Sequence, residues 1–78
     1  MILSEAGESR VRGYLFVLDR SLNIRLPRDV GRDAVREIES HIRERIGAVA
    51  AGSDERATLE TILDELGPPL RVARAYSA

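Results

Sequence analysis

The stretch LPRDVGRDAVREIESHIRERI, residues 26–46, decides how the rest of the chain is read. Val35, Ile38, Ile42 and Ile46 recur at three- and four-residue intervals, the period of a helix with one buried face. Val30 and Ala34 flank that stripe and Val49 extends it. Outside it, Asp29–Arg32, Asp33–Arg36 and Glu39–Arg43 place opposite charges three or four residues apart. On a helix surface each such pair contributes about 0.2–0.5 kcal/mol. Pro27 disfavours helical backbone at Leu26, so the helix is expected to begin near Arg28 or Asp29. Gly31 weakens its first turn. The pattern runs to about Ala51, with Gly52 as the residue that ends it.

Working outward, Val11, Tyr14, Leu15, Leu18 and Leu22 form a second helical stripe on the N-terminal side. It predicts a helix from about Ser9, as N-cap, to Leu22, with Gly13 free to permit a close helix approach. Residues 1–9 are expected to be a frayed segment. Leu22, Ile24 and Leu26 alternate with Asn23 and Arg25, which suggests an extended connector over Asn23–Leu26 that pins apolar side chains to the core. On the C-terminal side, Ser53 is expected to cap a third helix carrying Leu59, Ile62, Leu63 and Leu66, ended by Gly67 and Pro68. Almost no loop then separates the second and third helices, which should form an αα-hairpin. Pro69 suits the first position of a short final helix anchored by Leu70, Val72, Ala73 and Tyr76.

These readings predict an all-α fold: a small bundle of three main helices plus a short C-terminal one, in a single domain over residues 1–78, packed around one long central helix. That helix is expected to be the second, whose roughly 24 residues would span about 36 Å. The neighbours on either side are half as long. A part left uncovered would be an exposed apolar strip and would imply a partner, a second copy of the chain being one candidate.

Composition narrows the function classes. A chain of 78 residues buries only about 60% of its unfolded surface. It has no cysteine, which removes disulfides and thiolate zinc sites and suits a cytosolic protein. The 12 basic residues, all arginine, nearly balance 13 acidic ones, for a formal net charge of -1, against non-specific affinity for nucleic acid. No apolar run approaches the ~20 residues a bilayer requires. MILSEAGES has neither the basic nor the apolar region of a signal peptide.

Candidate chemistry centres on His41, the only histidine. Glu37, His41 and Glu44 stand at i, i+4 and i+7, so they share one helix face. Two carboxylates and an imidazole could touch a metal, but helical metal sites draw further ligands from another element, and H-E-x-x-H is absent. Ser40 points about 100° away from His41 on a helix, which disfavours a nucleophile–base dyad. The expected role of His41 is therefore packing or partner contact beside the Ile38–Ile42 stripe. Arg28, Arg32 and Arg36 form a row that could meet phosphates, yet Asp29, Asp33 and Glu37 form a parallel acidic row beside it.

Taken in order, the local patterns resemble one family. Tyr14-Leu15 leads to Leu26-Pro27. Then follow Arg36-Glu37-Ile38-Glu39-Ser40-His41-Ile42-Arg43-Glu44, Leu66-Gly67-Pro68-Pro69 and Val72-Ala73-x-x-Tyr76. This sequence of motifs resembles the HAAS-type domain of bacterial membrane proteins, also described as a permease prefix domain, over roughly Arg10 to Ser77. The resemblance implies a small all-helical cytosolic module, preceding transmembrane segments and linked to PadR-type transcriptional regulators. It implies a signalling or protein-interaction role, no enzyme activity, no cofactor and no small-molecule substrate. Glu37, Ser40 and His41 match the family's characteristic positions. With Glu44 and Tyr76 they are the candidate partner-contact residues. The competing reading is a DNA-binding or transcription-regulating accessory domain.

Overall fold

A computed structural model describes residues 1–77 of the chain. Four helices follow one another: α1 over Glu5–Arg25, α2 over Arg28–Gly47, α3 over Glu55–Leu66 and α4 over Pro69–Ser77. The expected all-α architecture is present, but the long central helix is α1, which packs against each of the other three.

The first helix is longer than its apolar stripe suggests, at both ends. Ser4, not Ser9, is the N-cap: its Oγ accepts from the Gly7 N–H at 3.2 Å. The Glu55 carboxylate, reaching across from the start of α3, accepts from the Ser4 N–H at 2.6 Å and from its hydroxyl at 2.5 Å. Gly7 makes room for this clasp, since a Cβ there would lie 2.8 Å from the Glu55 carboxyl carbon. The Met1 nitrogen donates to the carbonyls of Val49, at 3.0 Å, and Ile46, so residues 1–4 are tied to both α2 and α3 rather than frayed. At the other end, Asn23–Arg25 are helical and the connector shrinks to Leu26-Pro27. Leu22 and Leu26 share a face under either period, because two residues taken twice equal one helical turn. Ile24 separates the two readings. A strand would bury it with its neighbours, whereas the helix turns it outward, 85% exposed while Leu22 is fully buried.

The second helix stops at Gly47, four residues short of expectation. Gly47 is a poor helix former, and the donation from Met1 takes up carbonyls that a further turn would have used. Residues 48–54 then form the turn of the αα-hairpin. Asp54, not Ser53, caps α3, its carboxylate accepting from the Ala57 N–H at 3.0 Å. Gly67 ends α3 with φ 91°, a left-handed backbone that disfavours any side chain.

Val11, Tyr14, Leu15, Leu18 and Leu22 of α1 meet Ala34, Ile42 and Ile46 of α2, Leu59, Ile62 and Leu63 of α3, and Ala73 of α4. Val35, Ile38, Leu66, Val72 and Tyr76 pack around this core, whereas Val30 lies exposed. A fully buried Leu, Ile or Val contributes about 1.5–3 kcal/mol. Among the described residues no charged or polar residue is buried. Tyr14 counts with the apolar core, and its hydroxyl donates to the Gly67 carbonyl at 2.7 Å, satisfying both groups out of water. Charged side chains clamp the helices from outside. Arg43 grips Glu8 through two bonds of 2.8 Å, Arg10 reaches Glu60 at 2.8 Å, and Arg45 reaches Glu65 at 2.7 Å.

Candidate functional site

The outer face of α2 carries most of the residues singled out in the sequence. The inner stripe faces α1 and α3, so the opposite side of the helix is left to solvent. Glu37, Ser40, His41 and Glu44 all lie there, exposed. Their spacing of three and four residues sets them side by side over two turns. Tyr76 joins them from α4, half-buried between that helix and the core. Burial, and after it the nearby Glu37 carboxylate, push the Tyr76 phenol upward. The fold therefore brings Glu37 and Tyr76 together, although 39 positions separate them in sequence.

His41 is exposed beside the inner stripe, which suits the partner-contact half of its expected role better than packing. Its neighbour in charge is Glu65 on α3. That carboxyl is held below its ordinary value first by its bond to Arg45, with a smaller contribution from His41. Among the described residues no group of three His, Cys, Asp or Glu side chains stands close enough to hold a metal ion. Ser40 makes no hydrogen bond through its hydroxyl among them. The stripe thus offers two carboxylates, an imidazole, a hydroxyl and a phenol on a convex surface, a chemistry suited to surface contact.

The candidate DNA-contacting row is solvated. Arg28, Arg32 and Arg36 are exposed on α2, and Arg36 pairs with Asp33 at 3.4 Å across the same surface. Such an exposed pair contributes little.

One surface escaped the sequence reading. Phe16, Val17 and Ile24 of α1 are 61%, 48% and 85% exposed, and Arg20 stacks on the Phe16 ring with its guanidinium 5.8 Å from the centroid. The bare apolar strip expected on the second helix lies instead on the first. Its signal was present in Phe16 and Val17, which fall outside the Val11–Leu22 stripe. Ile24 was hidden by the strand-like alternation around it.

Among the described residues, no helix is long and apolar enough to cross a membrane. No curated protein and no solved structure matches the chain. A family model does, that of HAAS, over residues 13–75. That span takes in the C-terminal part of α1, all of α2 and α3, the Glu37–Ser40–His41 stripe and the Gly67 turn, and on it the chain belongs to the HAAS family.

Proposed function

We propose that this chain is a non-catalytic interaction and signalling module that docks a protein partner on the outer face of α2. The observation carrying this reading is the grouping of Glu37, Ser40, His41 and Glu44 on one exposed face, with Tyr76 near Glu37. Neither Glu37 nor Glu44 is in an ion pair among the described residues, so both carboxylates are free for basic groups of a partner. Charge-assisted hydrogen bonds to Arg or Lys are the strong contacts such a face can make. The family resemblance points to a PadR-type regulator as that partner. It also points to the cytoplasmic side of the membrane as the place of work, the module being carried by or working with a membrane protein.

The test is co-purification and calorimetry with a PadR-type regulator from the same genome. Binding is expected for the wild-type chain and is expected to fall about tenfold or more for Glu37→Arg combined with Glu44→Arg, since each charged contact contributes about 1.5–3 kcal/mol. Equal binding by the variant would move the site off α2. Tight duplex-DNA binding with a steep loss on adding salt would favour the DNA-binding reading instead.

A further inference from the structure

The charges of this nearly neutral chain are sorted between the two ends of the bundle. The N-terminal half of α1 is covered by α3, where Glu55 holds Ser4 and Glu60 holds Arg10. Beside Gly13 and Val17 the chain turns into α4, which runs on along the C-terminal half of α1, with the first half of α2 on its other side. That end of the 40 Å molecule, residues 17–37 and 69–77, carries seven arginines against four carboxylates. The other described residues carry five arginines against nine carboxylates. The three interhelical clamps all stand at the acidic end. At the basic end, Arg20, Arg25, Arg28, Arg32, Arg71 and Arg74 are in no ion pair among the described residues.

Four of these arginines surround bare aliphatic side chains. At 100° per residue, Val17, Arg20 and Ile24 fall within about 60° of one another on α1, and all three are exposed. On α4, Ala73 turns inward and Tyr76 toward Glu37, which leaves Leu70, Arg71 and Arg74 outside, all exposed. Val17 and Pro69 share the wall of one groove, so Leu70 follows directly beside the α1 face. Arg25 closes the patch at the end of α1. No carboxylate stands on α4. Asp19, the one carboxylate on this half of α1, is turned about 100° from Arg20 and accepts from Asn23.

We propose that this face, built from α4 and the C-terminal half of α1, rests on the surface of an anionic phospholipid bilayer. Val17, Ile24 and Leu70 enter the boundary between headgroups and acyl chains, and Arg20, Arg25, Arg71 and Arg74 reach the phosphates around them. Arginine suits both layers, since its stem covers apolar surface while its guanidinium forks onto phosphate. Charge complementarity chooses the occupant. A second copy of the same face would set arginine against arginine. A nucleic acid would engage the arginines but gain nothing from the aliphatic side chains between them. The contact is with the surface only, because no described helix is long and apolar enough to cross a membrane. It leaves the outer face of α2 open and does not depend on the partner proposed for that face.

Co-sedimentation of the full chain with lipid vesicles tests the contact. Binding is expected to vesicles of mixed phosphatidylcholine and phosphatidylglycerol, weakening as salt rises, and not to phosphatidylcholine alone. Arg74→Glu is expected to weaken it by about tenfold or more. Ile24→Ser leaves the charge unchanged and should weaken it by about threefold or more. Arg56→Glu makes the same change of net charge at the acidic end and should bind as the wild type does. All three positions are exposed, and melting curves check that each variant folds. No uptake by the anionic vesicles at low salt overturns the proposal. So does binding that Arg74→Glu and Ile24→Ser leave intact, or that Arg56→Glu weakens as much as Arg74→Glu. Retention on duplex DNA without uptake by vesicles would assign the face to nucleic acid and overturn it as well.

Discussion

At Tyr14 one side chain serves two purposes. Its ring fills the core, and its hydroxyl ties α1 to the Gly67 carbonyl. Tyr14→Phe keeps the ring and leaves that carbonyl without its partner, so a loss of about 1–3 kcal/mol is expected in urea unfolding. Gly67→Ala forces a side chain into a left-handed backbone and should cost about 1–2 kcal/mol in the same measurement. Ile42, fully buried, gives the largest effect. Ile42→Asp places a charge among apolar side chains and should cost more than about 3 kcal/mol, read as loss of the cooperative melt. Residue identities made the core positions of Tyr14 and Ile42 legible, since helical period fixes which side chains point inward. The hydroxyl's partner was not legible, because it lies 53 positions away and is a backbone atom. His41 was legible as a surface candidate but not in its setting, because its charged neighbour Glu65 comes from another helix.

The helices themselves were read well where one strong pattern stood alone and less well at their ends. Ends depend on competition among caps, and two of the winning caps are tertiary. Ser4 outcompetes Ser9 because Glu55 arrives from α3 to hold it. Glu55→Ala should therefore loosen the first turn of α1 as well as that of α3. The expected result is faster amide exchange in the first turn of α1, with global stability lowered by about 1 kcal/mol, as for a lost cap. The Asn23–Leu26 stretch misled for a different reason. Leu22 and Leu26 satisfy strand and helix periods alike, and Pro27 sets the end of the helix only at the residue just before it.

The described residues are held inside by apolar packing and the Tyr14–Gly67 bond, and outside by three interhelical arginine–carboxylate clamps. Their carboxyls respond to acid together. Glu8, Glu60 and Glu65 are each held below the ordinary value of 4.5, first of all by their bonds to Arg43, Arg10 and Arg45. A carboxyl whose folded value is depressed binds fewer protons than it does in the unfolded chain. The clamps' contribution is therefore complete above pH 4.5 and is lost as pH falls below it, toward the folded values. Thermal melts should be level from neutral pH down to about 5 and should decline modestly below 4.5, since exposed ion pairs contribute little. Arg43→Met should flatten part of that fall. None of this was readable beforehand, because Arg10, Arg43 and Arg45 each had several carboxylates within reach along the sequence, and only the packing of α1 and α3 chose among them.

The Gly67 turn also sets an order of events. Beyond it α4 commits one side chain, Ala73, to full burial, against three to five side chains from each of the other helices. Counted by buried side chains alone, it is the segment with least to lose by letting go, although it lies closely along α1. In hydrogen exchange its amides should open first, as a nine-residue flap swinging on Gly67 and Pro68 while the other three helices stay closed. When the flap lifts, Tyr76 leaves the neighbourhood of Glu37, so the outer surface of α2 changes with the position of the tail.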